Sequence, residues 1–201
     1  MGPSAARYAG LQARLERLGH TVFDEGNVQV PNPEEDVAQT GTKRLKTVTA
    51  VCQNIYDIAR KCVTADEFAI FLGGDHSISI GSIAAASQDE SLGVIWIDAH
   101  GDFNTPQTSP SGNIHGMPVA TLIGEGPETL VNVGAPGAKL KPRQIVQIGI
   151  RDLDTEERER LARSGISVFT MRHGDELGLA SVARQASDRL RAFSRIHVHM
   201  V

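Results

Sequence analysis

Between Val94 and Pro106 the chain reads VIWIDAHGDFNTP, an apolar run that ends in Asp98, His100 and Asp102 within five residues. Two carboxylates and an imidazole are costly to bury without partners. Either the strand surfaces there, or a positive charge meets these side chains. Asp98 and His100 stand two apart, so in an extended chain they project to one side. Gly101 then lets the chain turn and Asp102 fold back toward the same point. Imidazole and carboxylate without thiolate suit borderline-hard divalent metals such as Mn²⁺, and less often Zn²⁺ or Fe²⁺. A second cluster, Gly73-Gly74-Asp75-His76-Ser77, offers the nitrogen of His76 from a neighbouring strand end. A shared carboxylate such as Asp98 is a natural bridge between two ions, and two-metal sites make hydroxide at neutral pH. The competing reading is that aspartates at strand ends merely cap turns or helices. One Asp-x-His does not separate the two readings, whereas the two clusters together favour the metal. A phosphate-binding role for Gly73-Gly74 is disfavoured, because no lysine follows.

Downstream lie Asn104-Thr105-Pro106 and the run from Ser109 to Gly116. This is either an ordinary turn-rich loop or a mouth lined with neutral hydrogen-bonding groups. In the second reading Asn104, Ser109, Ser111 and Asn113 hold a small carboxylate. His115 is the one residue there that titrates near neutral pH, which makes it a candidate proton shuttle. Asp154 and Glu157 have the spacing of a capping box at a helix start. They could equally recognise an ammonium group, and both roles can hold at once. His197 and His199 alternate like metal ligands, but an ordinary strand face is the favoured reading.

The elements that must position these residues follow from periodicity and punctuation. A helix is predicted after Pro3, with Ser4 as N-cap, running to about Gly19, then a short extended piece over 21–23. A longer helix is predicted over 33–61, with Val37, Leu45, Val48, Val51, Ile55 and Ile58 as its apolar stripe. A buried strand over 68–72 precedes a small-residue helix over 78–87 and a strand over 93–98. A helix over 117–123, strands over 145–150 and 167–170, helices over 155–163 and 180–193, and a last strand over 195–201 complete the reading. Continuous apolar strands alternating with helices mean a parallel sheet covered on both faces. In such sheets ligands sit at the carboxyl ends of the strands, so three polar clusters, including Arg151-Asp152-Leu153-Asp154, are expected to converge there.

With 201 residues and ordinary globular composition, a single domain over 1–201 is expected. The net charge of −4 argues against a nucleic-acid or anionic-membrane partner. No apolar run reaches the length of a membrane span, and the first residues lack the apolar core of a secretory signal. A cytoplasmic location and free thiols at Cys52 and Cys62 are therefore expected. Both ends are abrupt, inside a helix signal and inside a strand signal, which suggests a piece of a longer protein.

The two metal-type motifs, in order, resemble those of the ureohydrolases. Asp102-Phe103-Asn104-Thr105-Pro106 with Ser111-Gly112-Asn113-Ile114-His115-Gly116, and the opening MGPSAARYAGL, are similar to the arginase family in particular. The resemblance implies a three-layer α/β/α fold with a mainly parallel sheet, incomplete at both ends. It implies that His76, Asp98 and Asp102 bind one Mn²⁺, while Asp98 as a bridge and His100 bind a second. It gives Asn104, Ser109 and Ser111 to the α-carboxylate of L-arginine with Asn113 nearby, Asp154 and Glu157 to its α-amino group, and proton shuttling to His115. The implied reaction is hydrolysis of L-arginine to L-ornithine and urea by a metal-bridging hydroxide, in a homo-trimer or homo-hexamer. An agmatinase-like enzyme and a non-catalytic metal- or partner-binding remnant are the alternatives. In the family pattern the last strand runs into Asp-x-Asp; in register, Val201 stands where the first of those aspartates belongs. Weak, single Mn²⁺ binding and little hydrolysis by this chain are therefore expected.

Overall fold

The computed structural model of the chain describes residues 2–31, 42–87 and 91–201. Four strands, β1 (Leu92–Ile97), β2 (Ile145–Ile150), β3 (Ser167–Thr170) and β4 (Arg195–Met200), form one sheet in the order β3-β2-β1-β4. Every pairing is parallel. The sheet sits between two helical layers. On one face, helices α4 (Ile78–Ala86) and α5 (Pro118–Leu122) cover Val94 and Trp96, packing Ile83, Val119 and Leu122 against them. On the other, Val182, Ala186 and Leu190 from α9 (Leu179–Arg189) and its end meet Ile95, Val146, Ile148 and Phe169.

Helix α3 (Leu45–Thr64) forms an outer layer over α4. The closeness of that contact depends on the small residues of α4. A Cβ on Gly81 would lie 2.3 Å from the carbonyl oxygen of Cys52. Backbone, not a flexible side-chain tip, blocks it. Gly81→Ala is therefore expected to push the two helices apart and cost about 1–3 kcal/mol, read as a fall in the urea-unfolding midpoint.

Most elements lie within a few residues of their predicted positions, and four expectations change. The first helix is two, α1 (Gly2–Tyr8) and α2 (Leu11–Arg17), because Gly10 takes a left-handed conformation between them. Residues 21–23 form no strand. The long helix begins at Leu45, and the part of its prediction over 33–41 lies outside the described residues. The buried strand over 68–72 is absent. Phe68 is 92% exposed, Ile70 53% and Leu72 45%. A strand needs a partner for its backbone groups, and among the described residues nothing pairs with the outer edge of β4. Short helices α6 (Glu128–Val131), α7 (Thr155–Ser164) and α8 (Met171–Leu177) complete the chain. Neither α6 nor α8 is among the expected helices.

Candidate metal centre

The carboxyl end of β1 is held by its neighbour β2. Gly149 adopts φ +92°, and the register between β2 and β3 shifts at that point. This bulge lets the chain turn under Asp98, whose N–H donates to the Ile148 carbonyl. The N–H groups of Arg151 and Asp152 then donate to the Ala99 carbonyl. From the middle of β2 the fully buried Gln147 donates its side-chain amide to the Gly101 carbonyl at 2.6 Å. The segment from Asp98 to Gly101 is thus pinned along its length by β2 and the residues that follow it. Asp102 itself sits at φ +48°, a left-handed conformation that Asp tolerates better than most residues.

His76 arrives from the turn before α4, although no strand delivers it. Its Nδ1 donates to Asp102 Oδ2 at 2.6 Å and lies 3.0 Å from Asp98 Oδ2. Asp98 is 6% exposed. Its Oδ1 accepts the His100 backbone N–H at 3.0 Å and lies 3.3 Å from His100 Nδ1. Its Oδ2 makes no hydrogen bond, despite burial. A buried carboxylate oxygen without a hydrogen bond, facing two imidazoles and a second carboxylate, suits a divalent cation. Among the described residues, His76, Asp98 and His199 place one ligand atom each within 4.8 Å of one another.

These charges shift one another. The hydrogen bond of His76 to Asp102 and its close approach to the Asp98 carboxylate raise its pKa to about 10, against the opposing effect of burial. Burial pushes the Asp98 carboxyl up, but the close His76 ring and the hydrogen bond from the His100 N–H outweigh it and leave the group at about 2. Burial raises the Asp102 carboxyl above its ordinary value, opposed by its bond from His76. Burial alone lowers His197 to about 4, and burial with the nearby His76 charge lowers His199 to about 4. The consequences for the metal-free chain have definite signs. Between pH 4 and 6.5 the unfolded chain binds protons at His197 and His199 that the folded chain refuses, so stability rises with pH. Between pH 6.5 and 10 the folded chain keeps the His76 proton that the unfolded chain releases, so stability falls. The Asp98 contribution is complete above about pH 4 and is lost as pH falls through 2. Asp102 and Glu157, held above their ordinary values, act in the opposite sense above pH 4, so the urea midpoint is expected to fall between pH 6.5 and 10 and again below pH 4.

Beside this cluster opens a cavity of about 280 Å³. His76, His100, Asp102, Asn104, Ser109, Ser111, His115, Asp154 and Glu157, all predicted from sequence, line it. Asp98 lies beneath it, and Asn113 does not reach it. Ser109 Oγ accepts the Gly112 N–H and Ser111 Oγ the Asn113 N–H. Each hydroxyl keeps its own proton to donate into the cavity. Asn104 donates to Asp154 at 2.9 Å and accepts from Thr108 at 2.9 Å.

Asp154 and Glu157 do form the capping box of α7. Glu157 is buried, and its carboxylate also accepts the Phe103 N–H at 2.8 Å. Burial raises its pKa, against those N–H contacts. Arg160 on the same helix holds the Phe103 carbonyl and sits 4.8 Å above the Phe103 ring. The helix that bears Asp154 therefore also fixes the loop that carries Asp102 and Asn104.

Three further residues belong here. Asp152 lines the cavity, 3.8 Å from His100 Nε2. Asp75 lies 3.6 Å from His115 Nδ1 and is oriented by the Ser77 N–H. His199 faces inward, its ring stacked on Trp96 at 3.8 Å between centroids. Their signals were present in the sequence: Asp75 and Asp152 stand in the polar clusters, and His199 alternates with His197; Gln147, which holds Gly101, is a polar residue inside an apolar strand.

Fold and centre together define a class: a parallel three-layer α/β protein with imidazole and carboxylate donors gathered at the carboxyl ends of its strands, beside a small polar cavity. The family model described as "Arginase family" matches residues 1–200. The chain belongs to the arginase family. It is 46% identical over 187 residues to an arginase of Brevibacillus brevis, which covers 92% of this chain and 63% of that protein. It is 44% identical over 201 residues to the arginase of Bacillus subtilis (strain 168), which covers 100% of this chain and 68% of that one. The crystal structure of the Bacillus subtilis arginase matches with a TM-score of 0.92 at 43% identity, covering all of this chain and 67% of the other. That of the Bacillus caldovelox arginase matches at 0.94 and 40% identity, covering 98% and 68%. The chain thus spans about two thirds of the length of these relatives. Among the described residues no helix is long and apolar enough to cross a membrane.

Proposed function

We propose that the chain carries the metal-binding and amino-acid-binding part of an arginase, an enzyme that hydrolyses L-arginine to L-ornithine and urea with two Mn²⁺. The observation that carries this reading is one cavity lined both by His76, His100 and Asp102 and by Ser109, Ser111 and Asp154. Its volume, at the lower end of the range for ligand pockets, suits an amino acid rather than a nucleotide. The donor set fits divalent cations: His76, Asp98 and Asp102 would hold one, and Asp98 with His100 a second. Such ions, when bound, supply Lewis acidity and a nucleophile from water at neutral pH.

The chain's own residues do the rest. The Ser109 and Ser111 hydroxyls, with the second amide hydrogen of Asn104, donate to the α-carboxylate of the substrate. Asn113 supports this loop through its backbone. Asp154, anchored by Asn104 and backed by Glu157, takes the α-ammonium group. Those contacts aim the guanidinium end at the His76–Asp98–His100 corner, so orientation is set by binding at the far end. His115, oriented by Asp75 near the cavity mouth, carries protons between the cavity and water. The donors of this chain are sparse for two ions, which fits one weakly held Mn²⁺ and slow hydrolysis. A cytoplasmic trimer or hexamer acting in arginine breakdown completes this reading.

A carboxylate-binding loop separates arginase from an agmatinase-like enzyme, because agmatine has no carboxylate. Calorimetry with L-ornithine and putrescine, the corresponding products, tests this. L-Ornithine is expected to bind at least tenfold more tightly, and a Ser109→Ala, Ser111→Ala double variant to erase the difference. Equal affinity for the two in the unsubstituted chain contradicts the reading. The sparse donor set favours one second reading, a non-catalytic metal-binding protein. In that case neither product binds.

A further inference from the structure

His199 is the residue of this corner that the reading above leaves idle. Trp96 and Asp98 stand two apart along β1 and project to the same face. His199 is the register partner of Trp96 on the adjacent strand β4. It is therefore a diagonal cross-strand neighbour of Asp98 on that face, one step before Val201. Its ring is fixed by stacking on Trp96, 3.8 Å between centroids and 23° between planes. It meets His76 edge-on, 5.7 Å between centroids. Its Nε2 is buried and makes no hydrogen bond, and neither does Asp98 Oδ2. Two buried ligand atoms in one corner thus lack hydrogen bonds, and the ligand atoms of His76, Asp98 and His199 lie within 4.8 Å of one another. Each unsatisfied buried polar atom carries a cost that a shared cation removes. Among the described residues His197, the next histidine along the same face, belongs to no such cluster.

We propose that His199 is a metal ligand, completing with His76 and Asp98 a site of two imidazoles and one carboxylate that binds a single borderline divalent cation, Zn²⁺ or Co²⁺, far more tightly than Mn²⁺. This rests on the reading of the corner as a metal centre and changes which ion the chain selects. A second imidazole is the softer donor that Zn²⁺ and Co²⁺ reward and Mn²⁺ does not.

The test is competition calorimetry of the chain with Zn²⁺ and with Mn²⁺, alongside the visible spectrum of the Co²⁺ form. Any nitrogen–oxygen site favours Zn²⁺ over Mn²⁺ to some degree, so the decisive quantity is the change in that ratio. Unsubstituted chain is expected to bind one Zn²⁺. His199→Ser is expected to lose at least 50-fold in Zn²⁺ affinity, to stay within threefold for Mn²⁺, and to alter the Co²⁺ d–d bands. His197→Gln is expected to leave all three unchanged and guards against a general effect of altering β4. If His199→Ser keeps its Zn²⁺ affinity within threefold while Asp98→Asn loses both ions, the role of His199 is refuted and the metal centre stands. If Asp98→Asn binds both ions as well as the unsubstituted chain, the metal centre itself fails.

Discussion

Asp98→Ala is expected to abolish specific divalent-cation binding, lowering affinity by more than ~100-fold, above the range that outer-shell partners cost. Asp98 stands between His76 and His100. One oxygen accepts the His100 N–H and faces the His100 ring, and the other faces His76 without a hydrogen bond. Among the described residues no other carboxylate touches both imidazoles. The substitution also leaves the His100 N–H without its acceptor and His76 with Asp102 alone. Stability of the metal-free chain should fall by about 1–3 kcal/mol, the cost of stranding such a donor. Calorimetric titration with Mn²⁺ measures the first effect and urea unfolding in chelator the second. The two separate because Asp98→Asn keeps an acceptor for the His100 N–H and should restore much of the stability without restoring the metal.

Glu157→Ala should be the most destabilising substitution near the cavity, at about 3 kcal/mol. Its buried carboxylate accepts the N–H groups of Phe103 and Asp154. Hydrogen bonds to a charged group contribute ~1.5–3 kcal/mol each, and a lost helix cap costs ~1 kcal/mol, without full additivity. In a chain of this size that corresponds to a fall of roughly 6–12 °C in Tm. The same substitution should weaken metal binding, because Phe103 follows Asp102 directly and its N–H loses its anchor. Arg160 still holds the Phe103 carbonyl and ring, so the loop should loosen rather than unfold. Calorimetric melting with and without Mn²⁺ reads both effects. A drop in Tm with Mn²⁺ affinity unchanged would confine Glu157 to capping α7.

The sequence was most informative where one strand carries both a buried face and a polar end. VIWIDAH names its own element, because a continuous apolar run in a parallel sheet and a cluster of donors at its carboxyl end are both local patterns. The same holds for the Asp154–Glu157 box, which is set by backbone needs within one turn of helix. The segment over 68–72 misled for a physical reason. Phe68, Ile70 and Leu72 have the composition of a central strand, but strand formation depends on a partner, and that is not a local property. His199 misled in the opposite direction. Alternation places it correctly on one face of β4, yet only the pairing of β4 beside β1 sets it next to Asp98. Gln147 was overlooked because a polar residue in a strand reads as a flaw until its partner, the Gly101 carbonyl, is placed above it.

Anomalous diffraction from crystals of the chain grown with Mn²⁺ tests the central claim most directly. A single peak is expected, bounded by His76 Nδ1 and Asp98 Oδ2 with Asp102 at its side. A peak elsewhere on the molecule, or two peaks of full occupancy, would contradict it.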